Sequence, residues 1–168
     1  MLDKLAIIRN AIEEHHKIRS GLKLAGEAVN DLEAMSNLQR EYTGWVLSAT
    51  EALAEKQKNL QQAMSNLHDG LSNHFSYEEK YLPPIMGKVL MQTLLIEHRQ
   101  IRKELDEAKS AVADLRLEGL KQEELLAKKS HMRQLMDNIY QQIEEHASKE
   151  EIVLKMAQKA LEEQQKTA

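Results

Sequence analysis

The chain has 168 residues, which suits one domain, and it has no cysteine, so disulfides, thiolate catalysis and cysteine-held metal clusters are excluded. It is 42% hydrophobic and 30% charged, with two prolines and six glycines, and Leu, Ala, Glu, Lys and Gln dominate, a mix that favours helix throughout. The formal net charge of −4, with no Lys/Arg run, argues against nucleic acid as a partner.

A first helix is predicted over about residues 3–29, where Leu5, Ile8, Ile12, Ile18 and Leu22 fall near helical spacing and Gly21 and Gly26 weaken the end. Residues 30–50 are harder to place. DLEAM can start a helix, and NLQREYTGWVLS reads as helix with Gly44 inside it. The segment is either an extension of the first two helices or an extra short helix. The second helix runs to about Leu82, where Pro83 and Pro84 stop it: proline lacks the N–H and disfavours helix in the residue before it. Gly87 helps the turn. A third helix is predicted from about Val89 to Leu115, a connection over residues 115–122 with Gly119 as its only breaker, and a fourth helix from about Gln122 to Glu163 with a frayed polar end.

Four long amphipathic helices with short connections after the second and third imply an all-α fold. The expected architecture is an antiparallel, up-down-up-down four-helix bundle forming a single domain over residues 1–168. The N-terminal MLDKLAIIRNAIEEHH has no continuous apolar stretch with a small-residue cleavage site, so no signal peptide is expected. The longest apolar stretch, VLMQTLLI at 89–96, is too short to span a bilayer. A cytoplasmic protein with no membrane partner is expected.

Two phrases repeat. EHHKIRSGL at 14–22 and EHRQIRKEL at 97–105 share E-H-x-x-I-R-x-x-L. HFSYEEKYL at 74–82 and HASKEEIVL at 146–154 share H-x-x-x-E-E-x-x-L. The longer spacing in the first half is consistent with an insertion over 30–50. On helices, His74 and Glu78 share one face, as do His146 and Glu150. Each pair continues an apolar stripe, Leu67 and Leu71 in one case and Ile139 and Ile143 in the other. His15 continues the stripe of Leu5, Ile8 and Ile12, and His98 lies between Leu94 and Leu105. Four imidazoles and two carboxylates thus point into the predicted core. An isolated buried carboxylate costs several kcal/mol or neutralises. A pair of divalent metal ions is the simplest counter-charge. Imidazole suits iron, zinc or copper, and carboxylates can bridge two ions.

With these four segments in this order, the sequence resembles the hemerythrin family, specifically the hemerythrin-like HHE cation-binding domains, over nearly the whole chain. The resemblance implies a dinuclear site in the bundle core. Its metal ligands would be His15, His74, Glu78, His98, His146 and Glu150, holding two Fe ions with an oxo or hydroxo bridge and both glutamates bridging. It implies a non-haem di-iron protein that binds or reacts with O2, peroxide or nitric oxide, in sensing, scavenging or carriage. The alternative is iron delivery or repair of damaged iron–sulfur centres. Oxygen carriers of the family have a further histidine four residues after the third-helix ligand, where this chain has Arg102. They also place the last carboxylate five residues after its histidine, and here both Glu150 and Glu151 are glutamate. The set of four histidines and two glutamates looks more like the bacterial iron-centre repair proteins and the eukaryotic iron-sensing domain. The repair proteins carry a cysteine-bearing N-terminal segment, and this chain has no cysteine.

Around the site, His15 is favoured over His16 because it matches His98, and Glu150 over Glu151 because it mirrors Glu78. Glu79 and Glu151 read as rim groups. Arg19 and Arg102, four residues after His15 and His98, are either partners for Glu79 or Glu151 or simply exposed. His68 and His131 read as surface or core-edge residues, Tyr77 and Tyr81 as packing, and the methionines mostly as core filler. Gly70, one turn before His74, lets helices approach closely, admits a small ligand or is only a tolerated glycine.

Overall fold

The computed structural model describes residues 3–41, 47–116 and 120–167. Four helices account for nearly all of them: α1 (Lys4–Glu41), α2 (Leu47–Tyr81), α3 (Pro83–Ala113) and α4 (Gln122–Thr167). Asp3 caps α1. Its Oδ1 accepts the N–H groups of Leu5 (3.0 Å) and Ala6 (3.3 Å), donors that the first helical turn leaves unpaired.

The first helix does not stop near residue 29. It continues to Glu41 because Ala25, Val29, Leu32 and Ser36 carry its buried stripe onward at steps of three and four. Much of the 30–50 segment is therefore extension of α1 and α2. Gly44 and Trp45 lie outside the described residues, as does Gly119. The proline pair also does more than end α2. Pro83 and Pro84 occupy the first positions of α3, where a missing N–H is no loss. Leu82 joins the two helices: its N–H donates to the Glu78 carbonyl (2.9 Å), and its carbonyl accepts from Ile85 (2.8 Å) and Met86 (2.9 Å). A kink follows at Gly87, whose φ of 76° suits glycine, and α3 then runs on from near the predicted start.

Each helix packs on two neighbours in the ring α1–α2–α3–α4–α1, which is the four-helix bundle expected from the sequence. The core has two apolar parts. The larger, around Leu22, Leu60, Leu71, Phe75, Leu105 and Ile143, fills the middle and the far end. The smaller, around Ile8, Leu82, Met91, Leu94 and Leu154, fills the end that holds the α2–α3 turn. The described methionines are mostly buried, but Met156 is 70% exposed. Between the two parts lies a layer of buried polar side chains.

Candidate metal centre

That layer consists of His15, His74, Glu78, His98, His146 and Glu150, none more than 3% exposed. All six residues singled out in the sequence therefore meet in one place, one histidine from each helix and one glutamate each from α2 and α4. Glu78 sits at the middle. Its Oε1 lies 2.7 Å from His74 Nε2 and 3.6 Å from His15 Nε2, and its Oε2 lies 3.2 Å from His98 Nε2. Glu150 Oε2 lies 3.5 Å from His15 Nε2 and 3.4 Å from His146 Nε2. The arrangement falls into two groups sharing Glu78: His15, His74, Glu78 and Glu150 on one side, and Glu78, His98 and His146 on the other.

Despite these short separations, the Nε2 atoms of all four histidines and both oxygens of both glutamates have no hydrogen-bond partner. The pairs are close but not aligned as donors and acceptors. So many buried polar atoms left unpaired in one cluster would be costly in an ordinary core.

The other face of each imidazole is served differently. Glu14 lies 2.8 Å from His74 Nδ1, Glu79 2.9 Å from His98 Nδ1, and Glu97 2.9 Å from His146 Nδ1. Glu151 lies 3.4 Å from His15 Nδ1. Each carboxylate comes from the neighbouring helix, one residue before or after a member of the inner cluster. Glu79 and Glu151 are thus more than rim groups. Arg102 Nη1 donates to Glu79 (2.8 Å), and Arg19 Nη1 to Glu151 (2.6 Å), while Arg19 also reaches Glu144. Glu14 and Glu97 were missed in the sequence. The signal was there, since both histidines of the first repeated phrase directly follow a glutamate, but a helix projection shows only partners on the same helix.

Among the side chains alone, burial pulls the His15 pKa down, but Glu150 and Glu78 outweigh it and hold the imidazole at about 9. For His74 burial likewise opposes, and Glu78 and Glu14 raise it overall. Burial dominates at His146 and lowers it to about 4 despite Glu97. Burial works to raise Glu78, yet His15, His74 and His98 hold it well below the usual carboxylate range. Glu150 is raised by burial and by the charge of Glu78. The two carboxylates cannot both ionise easily without more positive charge nearby.

Other predictions also find their places. His16 and His131 are exposed, and His68 bridges Asp69 and Asp106, each at 3.0 Å. Tyr77 and Tyr81 pack against the smaller core part. Phe75 stacks on His98 with ring centroids 4.1 Å apart and closes the layer toward the larger core part.

Comparison with known families matches the hemerythrin HHE cation binding domain to residues 6–157. The chain belongs to that family. No curated protein and no solved structure matches it. As a hemerythrin HHE domain it is a metal-binding protein, and the buried layer is chemically suited to the role. Four Nε2 lone pairs and two carboxylates form a nitrogen and oxygen donor set of the kind that first-row metals take. The carboxylates behind Nδ1 fix the imidazole orientation such a site needs. Among the described residues no helix is long and apolar enough to cross a membrane.

Proposed function

We propose that the chain is a cytoplasmic, non-haem di-iron protein that binds or reacts with O2, peroxide or nitric oxide, in sensing, scavenging or carriage. The observation that carries this proposal is the pair of donor groups joined through Glu78, with every inward-facing donor atom buried and unpaired. His15, His74 and Glu150 would hold one iron and His98 and His146 the other, with Glu78 common to both donor groups. Two bridged irons would supply the electrons and open coordination positions for a small oxidising or diatomic ligand.

The chain's own residues do the rest. Glu14, Glu79, Glu97 and Glu151 keep the four imidazoles turned with Nε2 inward. Arg102 and Arg19 hold Glu79 and Glu151 in turn, which ties the outer carboxylates to the bundle surface. Leu82, Leu94, Leu154 and Phe75, all buried, exclude water above and below the layer.

The test is anaerobic metal analysis followed by stopped-flow absorption on mixing with O2, peroxide and nitric oxide. About two irons per chain and a new charge-transfer band with at least one of the three are expected. Iron that leaves only on adding a partner apoprotein, with no reaction toward the three small ligands, would favour delivery or repair instead.

A further inference from the structure

The two halves of the bundle differ along their outer seams. Aligning His15 with His98 and His74 with His146 pairs Gly21 with Glu104 and Gly70 with Gln142. Between α3 and α4 the Gln142 carboxamide donates to Glu104 Oε1 at 2.5 Å, so two large side chains meet across that seam. Between α1 and α2 the same two positions carry no side chain, and a trough of about 790 Å³ runs along the seam.

The trough is open space. A Cβ added at Gly70 would meet nothing within 4 Å, and one at Gly21 only Leu67 Cδ1 at 3.5 Å. Glycine weakens a helix interior relative to alanine. Neither glycine has the positive φ that would require it, which among the described residues is confined to Gly87. Ile18, Leu67 and Leu71 form an apolar floor, which the small residues Ala28 and Ala63 continue. From residue 14 to residue 28 of α1 the trough extends about 20 Å.

Its polar groups are nearly all uncharged. Asn59, Gln62, Asn66 and Asn73 set carboxamides along one rim, where Gln62 donates to Asn66 at 2.9 Å, and Ser20 adds a hydroxyl on the other, which donates to the His16 carbonyl at 3.1 Å. The two charged groups are already engaged: Lys17 with Glu13 at 3.5 Å, and Glu14 with His74 at 2.8 Å. The groove on the α3–α4 side, about 600 Å³, is instead lined by Glu97, Arg99, Lys103, Glu145 and Lys149.

We propose that the α1–α2 trough is a binding site for an elongated, uncharged molecule. An alkyl or isoprenoid chain lies over Ile18, Leu67 and Leu71, and a hydroxyl or amide head bonds to the rim carboxamides. A charged head would meet one charge of each sign along the trough, Glu14 held 2.8 Å from His74 and Lys17 in an exposed pair with Glu13, against five uncharged polar side chains. The volume falls within the range of about 300–1,000 Å³ usual for small-molecule sites. Glu14 and His74 line one end, so an occupant reaching that end lies beside the carboxylate that orients that imidazole.

The test uses the full chain and the uncharged fluorophore N-phenylnaphthylamine, displaced in turn by decanol, decanoate and decyltrimethylammonium. Probe uptake by the wild-type chain is expected, with decanol displacing it at about tenfold lower concentration than either charged chain. The variant Gly21→Glu/Gly70→Gln copies the side chains of the other seam and is expected to weaken probe binding about tenfold or more, with circular dichroism and metal content unchanged. Gly70→Leu alone, placed where a side chain meets nothing, should do the same and covers the case in which the double variant misfolds. Ile152→Ser/Met156→Ser removes exposed apolar side chains elsewhere and should leave binding intact. Undiminished binding in both folded trough variants would overturn the site. Better displacement by decanoate than by decanol would overturn its assignment to uncharged ligands. Neither outcome depends on which metal the buried cluster holds.

Discussion

Glu14, the residue just before His15, serves a different histidine: its carboxylate lies 2.8 Å from Nδ1 of His74 on the adjoining helix. Glu97 stands in the same relation to His146 at 2.9 Å. A carboxylate behind Nδ1 keeps the proton there and leaves the Nε2 lone pair facing the cluster. Glu14→Gln and Glu97→Gln are each expected to lower metal affinity about 10–100-fold while the helical content stays unchanged. Competition against a chelator of known affinity measures this. His16→Gln, on the exposed face beside the site, should change nothing.

The two buried glutamates are not equivalent. Glu78 belongs to both donor groups, Glu150 to one. Glu78→Gln is expected to leave less than about one tightly held ion per chain, and Glu150→Gln about one. Metal-to-protein ratios after gel filtration decide the point, and equal losses in the two variants would count against the shared position of Glu78.

The same unpaired atoms predict a large effect of metal on stability. A ligand present at about 1,000 times its dissociation constant stabilises the folded state by about 4 kcal/mol. For a chain of this length, chelation should therefore lower the unfolding midpoint by on the order of 10 °C. Scanning calorimetry with and without a strong chelator reads it directly. An unchanged midpoint would mean that the layer satisfies itself without an ion.

Stability should also respond to pH in opposite senses with and without metal. Burial works against the charged His15 imidazole, but Glu150 and Glu78 raise its pKa from 6.5 to about 9. A raised pKa stabilises the fold fully below 6.5, and that contribution is lost as pH rises through about 9. The chelated protein should therefore weaken between those values. Metal must displace the same proton, so metal affinity should climb over the same range. Denaturant midpoints for the chelated protein and metal titrations in buffers of differing ionisation enthalpy test the two halves separately.

Arg102 reaches the site through Glu79. Its Nη1 donates to Glu79 at 2.8 Å, Glu79 lies 2.9 Å from His98 Nδ1, and the guanidinium sits 5.2 Å from the centre of the Phe75 ring. Arg102→Ala is expected to speed metal loss to a chelator several-fold, and Arg102→Lys to restore it only in part, because an ammonium cannot match the planar fork. Iron retention unchanged in Arg102→Ala would remove Arg102 from the site.

Much of this was readable in the sequence, for a physical reason. His74 with Glu78, and His146 with Glu150, are pairs within one helix, and helical spacing alone puts each pair on one face. Their repetition in the same order brought His15 and His98 with them. Choosing Glu150 over Glu151 also needed only the repeat, and in the structure Glu150 joins the cluster while Glu151 stands behind His15. The outer ring was not legible as a whole, because Glu14–His74 and Glu97–His146 cross between helices and depend on rotation about each helix axis. The length of α1 was underestimated because two glycines looked like an ending. The buried stripe through Val29 and Leu32 outweighs their small propensity cost. Pro83 and Pro84 read as a stop and are also a start.

The most direct measurement is anomalous X-ray diffraction at the iron edge on protein loaded anaerobically with ferrous iron. Two peaks within the buried layer are expected, one within bonding distance of His15 and His74 Nε2, the other of His98 and His146 Nε2, with Glu78 reaching both. A single peak, a peak outside these side chains, or none in a well-ordered crystal would contradict a di-iron centre held by these six residues.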